Sequence, residues 1–138
     1  MFEKHTGDGF GLSWNKVLYN YLLTGANDKN VFIWDIEKPV EPMISITNQS
    51  GVNDVCWSRC HPNFYGTAEE DGHIYLWDRL VKGSIYSAIG HDKGVLCMDF
   101  NPLCPTFLLT GSDDNTVKFW DTRMMASCVL AFTHEDSV

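Results

Sequence analysis

The chain has 138 residues, and its 18 Asp and Glu against 10 Lys and Arg give a formal net charge of −8. This excess of negative charge argues against direct nucleic-acid binding, because that binding depends largely on neutralising phosphates. No apolar run approaches the roughly 18 residues of a membrane span, and the N-terminus lacks the form of a signal peptide. We therefore expect a protein of the cytosol or nucleus with no membrane partner.

Five cysteines are present, an odd number that indicates reduced thiols in such a compartment. Cys56, Cys60 and His61 are spaced too irregularly for a structural zinc site, which takes four ligands from paired Cys or His residues. No metal and no cofactor is therefore predicted.

The first part of the chain predicts four strands in succession. Residues 1–9 are polar and glycine-rich, which indicates a loop leading into the first strand. A turn rich in Asn and Asp separates the second and third strands, and these residues tolerate the positive φ of a tight reversal. The strands of this first unit, about residues 10–47, are predicted at Phe10–Trp14, at Tyr21–Gly25, up to Trp34-Asp35, and near Met43–Thr47.

The same order of elements returns twice along the chain. Trp-Asp pairs begin at Trp34, Trp77 and Trp120, so the period is 43 residues both times. A threonine also recurs every 43 residues, at the same position of each copy. The second unit spans about residues 52–89, the third about residues 95–132, and residues 133–138 begin a fourth.

A Trp-Asp signature with this period is typical of β-propeller repeats, in which four antiparallel strands make one blade. We predict an all-β fold for residues 1–138, an incomplete propeller of about three four-stranded antiparallel blades. Propellers close with about 4–8 blades, so two blade faces are expected to be bare. Self-association through these open blade edges is therefore expected. The chain is expected to be a fragment, a truncated product or one part of an assembled ring.

The sequence resembles the WD-repeat family over nearly its whole length. In that family a His, a Thr, an Asp and a Trp form a buried hydrogen-bonded tetrad in each repeat. The matching residues are His5, Thr24, Asp28 and Trp34; then Asn48, Thr67, Asp71 and Trp77; then His91, Thr110, Asp114 and Trp120. Because Asn48 replaces the His, we expect the second network to be weaker. His, a hydroxyl and Asp also suggest a catalytic triad, but enzymes rarely build one site several times. No catalytic residue and no enzyme activity is predicted.

Several segments are similar to the histone-binding subgroup of WD proteins. This subgroup includes the retinoblastoma-binding chaperones, the small subunit of chromatin assembly factor one and subunit two of type B histone acetyltransferase. The similar segments include Phe10–Asn15, Val52–Trp57, Leu96–Pro102 and Trp120–Arg123. The resemblance implies a non-catalytic histone-binding scaffold or chaperone subunit of chromatin assembly or modification complexes. Its partners would be histones three and four and other complex subunits, in the nucleus and also in the cytoplasm.

In that subgroup an acidic top face of the ring holds the basic tail of histone three. The matching residues in this chain are Asp8, Phe10, Asn53, Glu70 and Leu96. The carboxylates would pair with Lys or Arg, and the ring would stack on a cation. Asn53 replaces an acidic residue, Leu96 replaces a polar one, and Ser137 stands where an acid is usual. These departures imply weaker or altered tail binding.

A rival function follows from Trp120-Asp121-Thr122-Arg123. This segment is similar to the motif by which some WD proteins dock onto cullin-based ubiquitin ligases, and Arg123 would make that contact. The chain would then be a substrate receptor. A generic protein-interaction scaffold is the remaining alternative.

Overall fold

Short extended segments, separated by polar turns, form twelve strands in the part of the chain that the structure describes. The structure is a computed structural model that describes residues 4–134, apart from the side chain of Phe10. Blade one contains β1 (Gly9–Trp14), β2 (Tyr21–Ala26), β3 (Asn30–Asp35) and β4 (Ile44–Thr47). Blade two contains β5 (Val52–Trp57), β6 (Phe64–Glu69), β7 (His73–Asp78) and β8 (Ser84–Ile89). Blade three contains β9 (Val95–Phe100), β10 (Phe107–Ser112), β11 (Thr116–Asp121) and β12 (Leu130–Thr133).

Each blade is a separate four-stranded sheet whose strands pair antiparallel in chain order. The predicted all-β fold of three such sheets is therefore confirmed, as an open, incomplete propeller. Between residues 4 and 134, no helix is long and apolar enough to cross a membrane.

The turn between the second and third strands has the same backbone conformation in all three blades. Lys29, Gly72 and Asn115 occupy one repeat position, and their φ angles are 69°, 87° and 63°. This left-handed region favours Gly and Asn, which explains two of the three residues. Lys29 adopts the same left-handed conformation although its side chain does not favour it.

The core lies between the blades. One buried cluster joins blades one and two and contains Leu23, Val31, Ile33, Val52, Val55, Trp57, Tyr65 and Trp77. A second joins blades two and three and contains Cys56, Ala68, Ile74, Leu76, Val95, Met98, Phe100, Leu108, Trp120 and Met125. The first strands of adjacent blades approach closely: a Cβ on Gly11 would lie 2.8 Å from the Val55 backbone nitrogen. Each blade therefore buries a face against its neighbour.

Candidate functional site

The loops that precede each blade and the turns after each second strand lie at one end of the blades. We call this end the turn face; it comprises residues 4–8, 27–29, 48–51, 70–72, 90–94 and 113–115. One backbone hydrogen bond joins turn to loop in every blade. The donors are Asn27, Glu70 and Asp113, which bond to the carbonyls of Asp8 at 3.0 Å, Gly51 at 2.9 Å and Gly94 at 3.1 Å. The loops at the other strand ends, residues 15–20, 36–43, 58–63, 79–83, 101–106 and 122–129, form the opposite face.

Beneath the turn face, blade three contains a hydrogen-bonded chain of four side chains. His91 Nδ1 lies 2.9 Å from Asp114 Oδ2, and His91 Nε2 lies 2.7 Å from Thr110 Oγ1. The Trp120 indole N–H donates to the same Thr110 oxygen at 2.8 Å. Burial lowers the pKa of His91 although Asp114 opposes this shift, so the imidazole is neutral at pH 7. Nδ1–H then donates to Asp114, and Nε2 accepts the Thr110 hydroxyl.

Asp114 stays ionised in this arrangement. Burial raises its pKa, but hydrogen bonds from Thr116, His91 and the Asp92 backbone together hold the pKa well below its usual range. The carboxylate therefore supplies a fixed acceptor for the imidazole.

Blade one has the same arrangement, but its histidine is more exposed to solvent than His91. His5 Nδ1 lies 3.1 Å from Asp28 Oδ2, and His5 Nε2 lies 2.9 Å from Thr24 Oγ1. The Trp34 indole donates to Thr24 at 3.0 Å. Burial raises the pKa of Asp28, but bonds from the Asn30 and Thr6 backbones and from His5 lower it below its ordinary value.

Blade two has a different network. Trp77 donates to Thr67 at 3.1 Å, but Asn48 donates to Glu69 Oε1 at 2.5 Å rather than to Asp71. Asp71 accepts a hydrogen bond from the His73 backbone N–H within its own turn. The His73 ring nitrogen Nδ1 lies 3.1 Å from Asp71 Oδ1 but makes no hydrogen bond. Glu69 is fully buried, and burial together with the Asp71 charge raises its pKa to about 8 although bonds from Asn48 and Ser50 oppose the shift.

Sequence reasoning did not identify Glu69. The signal was present, because the same repeat position holds Ala26 and Ser112 in the other blades. An acid at a small-residue position beside a missing histidine indicates a substituted network.

Burial keeps the His–Thr pair of blade three away from solvent. In blade three His91 and Thr110 are only 2% and 1% exposed, and the Thr110 oxygen already accepts the Trp120 N–H. A solvent-borne substrate has no access to this hydroxyl, so the geometry serves blade stability.

Asp8 and Phe10 lie where the chain enters blade one. The Asp8 side chain is exposed, and its backbone carbonyl is held by Asn27. Phe10 lies on β1, but its side chain is outside the described part of the protein. Ser137 also lies outside the described residues. The contribution of these two side chains to a ligand site stays a prediction.

Asn53 and Glu70 lie together at the junction of blades two and three. Asn53 Nδ2 donates to the Val95 carbonyl at 2.9 Å, so its amide braces β5 against β9. Glu70 is exposed, and its carboxylate lies directly over Gly51: a Cβ there would come within 2.8 Å of both oxygens. Leu96 is 47% exposed on β9. Asp8 belongs to the blade-one end of the face, so the candidates form an arc.

Negative charge prevails on the turn face. Its carboxylates are Asp8, Asp28, Glu70, Asp71, Asp92, Asp113 and Asp114, and its lysines are Lys4, Lys29 and Lys93. Asp28 and Asp114 are used by the internal networks. Of the other five, all exposed, Asp71 lies 3.1 Å from the His73 ring, and Asp8, Glu70, Asp92 and Asp113 remain to meet a positively charged ligand.

Arg123 lies on the opposite face. Its guanidinium pairs with Asp121 of the same motif, with Nη2 to Oδ2 at 2.6 Å and Nε to Oδ1 at 2.9 Å. The side chain is 67% exposed. Docking onto a ligase would need this pair to open, and the docking function stays a prediction.

The model of the family described as WD domain, G-beta repeat matches residues 41–78 and 83–121, more than half of the chain. The matched repeats are staggered relative to the blades. Each begins just before the outermost strand of one blade, β4 or β8, and ends with the third strand of the next, β7 or β11. Every repeat thus spans two blades and links them covalently.

Curated proteins match shorter stretches. A 58-residue stretch is 41% identical to histone acetyltransferase type B subunit 2 of Aspergillus oryzae, and covers 37% of this chain and 13% of that protein. A 60-residue stretch is 38% identical to the protein of the same name from Candida glabrata, and covers 40% of this chain and 14% of that protein. A 59-residue stretch is 34% identical to the WD-40 repeat-containing protein MSI3 of Arabidopsis thaliana, and covers 38% of this chain and 14% of that protein. The matches thus span only 13–14% of these relatives.

Proposed function

The chain belongs to the WD domain, G-beta repeat family, and we propose that it is a non-catalytic scaffold that binds basic histone tails on its turn face. It would serve in a chromatin assembly or histone-modifying complex, chiefly in the nucleus. Family membership does not define the ligand, because one propeller fold serves many functions. The ligand is therefore argued from the relatives and from the chemistry of the turn face.

The names of the relatives support a role beside a histone-modifying enzyme. Two of them are named as subunit 2 of a histone acetyltransferase, a title that describes one part of a larger assembly. A scaffold in such an assembly needs a surface for the histone itself. Histone tails are rich in Lys and Arg, so the surface must offer acceptors and negative charge.

The observation that carries the proposal is the pair of exposed acids, Glu70 and Asp113, at one repeat position of adjacent blades. Both backbone N–H groups are anchored to the preceding loop, at 2.9 and 3.1 Å. Their carboxylates are thereby presented from rigid turns. Charge-assisted bonds to Lys or Arg are stronger than neutral ones, and a rigid acceptor loses less entropy on binding.

Asn53 adds a neutral contact beside Glu70. Its Nδ2 is used by Val95, which leaves Oδ1 as an acceptor for a peptide N–H or a lysine. An extended tail that crossed the junction of blades two and three would meet both residues. The loss of the usual acid at position 53 therefore weakens the charge attraction without removing the hydrogen-bond acceptor.

Titration of the full chain with histone three and histone four tail peptides tests this proposal. The variant that combines Asp8→Lys with Glu70→Lys should weaken peptide binding by about tenfold. Each exposed pair contributes up to about 1 kcal/mol, and reversing its charge adds a comparable repulsion. Calorimetric titration at low and physiological salt measures the effect.

The matched control for the single variant Glu70→Lys is Glu37→Lys. Glu37 is exposed in the loop of the opposite face before β4, and the change in net charge is identical. Only the turn-face variant should lose affinity. An equal loss of affinity in both variants would mean that the peptide responds only to the net charge of the protein. An unchanged Kd in the turn-face variant would mean that the turn face is not the binding site.

A further inference from the structure

One arginine crosses the junction of blades one and two on the opposite face. Arg79 follows the third strand of blade two, and its guanidinium lies over the Tyr21 ring of blade one, with Cζ 5.2 Å from the ring centre. A distance below about 6 Å is that of a cation–π contact. The Arg79 backbone N–H donates to the Asn63 carbonyl at 2.9 Å. Blade two thus covers an aromatic ring of blade one with a cationic side chain.

The junction of blades two and three has the same backbone but a shorter side chain. Thr122 follows Arg79 by 43 residues, and Phe64 follows Tyr21 by the same step. The Thr122 backbone N–H donates to the Thr106 carbonyl at 2.7 Å, which repeats the bond that Arg79 makes. The two positions are therefore equivalent, but threonine has no long side chain to lay over the ring of Phe64.

A hollow of about 430 Å³ lies at this second junction. Its volume is within the range of about 300–1,000 Å³ that small-ligand sites occupy. The lining includes three apolar side chains, two hydroxyls and a carboxylate, which belong to Phe64, Ile85, Pro105, Thr106, Thr122 and Asp78. No Lys or Arg belongs to the lining. The hollow therefore suits a side chain that has an apolar stem and a positive end.

Asp78 provides the negative charge in this lining. Its Oδ1 accepts the Leu80 backbone N–H at 2.9 Å, and between residues 4 and 134 its Oδ2 accepts no hydrogen bond. The equivalent aspartate of blade three, Asp121, is already paired with Arg123 at 2.6 Å. Asp78 has no such cationic partner among the described residues, so one carboxylate oxygen is left for a ligand.

We propose that the hollow between blades two and three receives an arginine side chain from a peptide segment of a partner protein. The guanidinium would lie over Phe64, as that of Arg79 lies over Tyr21, and would pair with Asp78. Further repeats of the chain would not supply this arginine, because the residue that covers the ring comes from the blade that follows. That blade is present, and it supplies Thr122.

A peptide suits the hollow better than the free amino acid does. Free arginine carries an α-carboxylate, which would find no Lys or Arg in the lining to pair with. The site also lies on the face opposite to the one proposed for histone tails, so it goes beyond that function and does not depend on it.

A nuclear magnetic resonance titration of the full chain with N-acetyl-arginine amide tests the proposal. The backbone amide signals of Phe64, Asp78 and Thr122 should shift at millimolar probe. N-acetyl-citrulline amide, which is neutral and has a similar shape, should bind at least about fivefold more weakly, and Asp78→Asn should weaken the binding of the arginine probe by about fivefold. Free arginine should bind no more tightly than the blocked amide. Signals of Glu70 report separately on the turn face.

Three substitutions test the geometry. Thr122→Arg supplies the side chain from within the chain and should abolish the shifts at the hollow. Val40→Arg is the matched control, because it adds the same charge at a residue that is 81% exposed on the same face. That variant should bind the probe as the wild type does. Arg79→Thr should open an equivalent hollow at the first junction, so that the Tyr21 amide signal also shifts.

Four outcomes would overturn the proposal. They are a probe that leaves the signals of the second junction unmoved, citrulline amide that binds equally well, a Thr122→Arg variant that binds as the wild type does, and free arginine that binds more tightly than the blocked amide. The dispersion of the amide signals shows in each case that the variant is folded.

Discussion

Glu69 shows at the level of one residue how a blade responds to a lost histidine. Its side chain is fully buried, Oε1 accepts from Asn48, and Oε2 has no partner among the described residues. A buried acid of this kind is held in its neutral form, because desolvation penalises the charge. At neutral pH the network of blade two thus contains a protonated carboxyl, whereas the networks of the other two blades contain an imidazole.

The stability of the protein should therefore decrease as the pH rises. The pKa of Glu69 is about 8 in the fold against 4.5 as its ordinary value. Between these values the folded state binds the additional proton, so unfolding becomes easier with increasing pH. Below about pH 4.5 there is no penalty, and above about pH 8 the penalty is complete. Urea unfolding from pH 5 to 9 should show this decline.

Glu69→Gln should abolish this decline, because the amide keeps the acceptor for Asn48 and never ionises. The gain over the wild type should grow toward pH 8 by up to about 1.4 kcal/mol per pH unit. Glu70→Gln is the matched control, since Glu70 is the exposed neighbour. If the wild type and Glu69→Gln keep parallel pH profiles, Glu69 is not the titrating group.

At the level of the element, the blades differ in how many partners depend on their central threonine. Thr110 bonds to both His91 and Trp120, whereas among the described residues the Thr67 hydroxyl bonds to Trp77 alone. Thr67 and Thr110 are both buried, so burial does not distinguish them. The two threonines therefore differ in the number of groups that the same substitution leaves unpaired.

Thr110→Val should lower the free energy of unfolding by about 2–6 kcal/mol, because it leaves His91 Nε2 and the Trp120 indole without a partner at about 1–3 kcal/mol each. Thr67→Val orphans one indole and should cost about half as much. Chemical denaturation of both variants at pH 7 measures the difference. Equal losses would mean that the imidazole contributes nothing through Thr110.

The elements that the sequence predicted well are those with a strong repeated pattern. The 43-residue period located the strands that end in Trp-Asp, and the polar turns after each second strand, because these positions have strict chemical requirements. The outermost strand of blade three, Leu130–Thr133, has no such pattern. Every residue of that strand is exposed, so no alternation marks its ends.

The candidate site depended on contacts that one strand cannot reveal. The resemblance points to Asn53 as a ligand residue, but not to the bond from its Nδ2 to Val95, 42 residues away on the next blade, which leaves only Oδ1 for a ligand. Asp71 matched the tetrad by position, but Asn48 bonds to Glu69 instead. In both cases the deciding partner lies on another strand, at a position outside the repeat motif.

At the level of the whole molecule, the blades hold one another through their apolar faces. Leu23 of blade one is fully buried in the cluster shared with blade two, whereas Leu109, at the same repeat position in blade three, is 45% exposed. The same residue type should therefore contribute more to stability in blade one, because more of its apolar surface is removed from water.

Leu23→Ala should therefore lower the free energy of unfolding by about 2–5 kcal/mol, as is usual for a buried leucine, and Leu109→Ala should lower it by clearly less. Chemical denaturation of both variants at pH 7 measures the difference. Equal losses would show that Leu109 is as well covered in solution as Leu23.

The bond from a tryptophan indole to a threonine oxygen occurs once in each blade, at Trp34, Trp77 and Trp120. The two other indoles differ in kind: Trp14 is half exposed, and Trp57 is buried without an acceptor between residues 4 and 134. The molecule thus contains a separate nuclear magnetic resonance reporter for every blade. Five indole proton signals, read during a titration or a slow unfolding, distinguish which blade opens first.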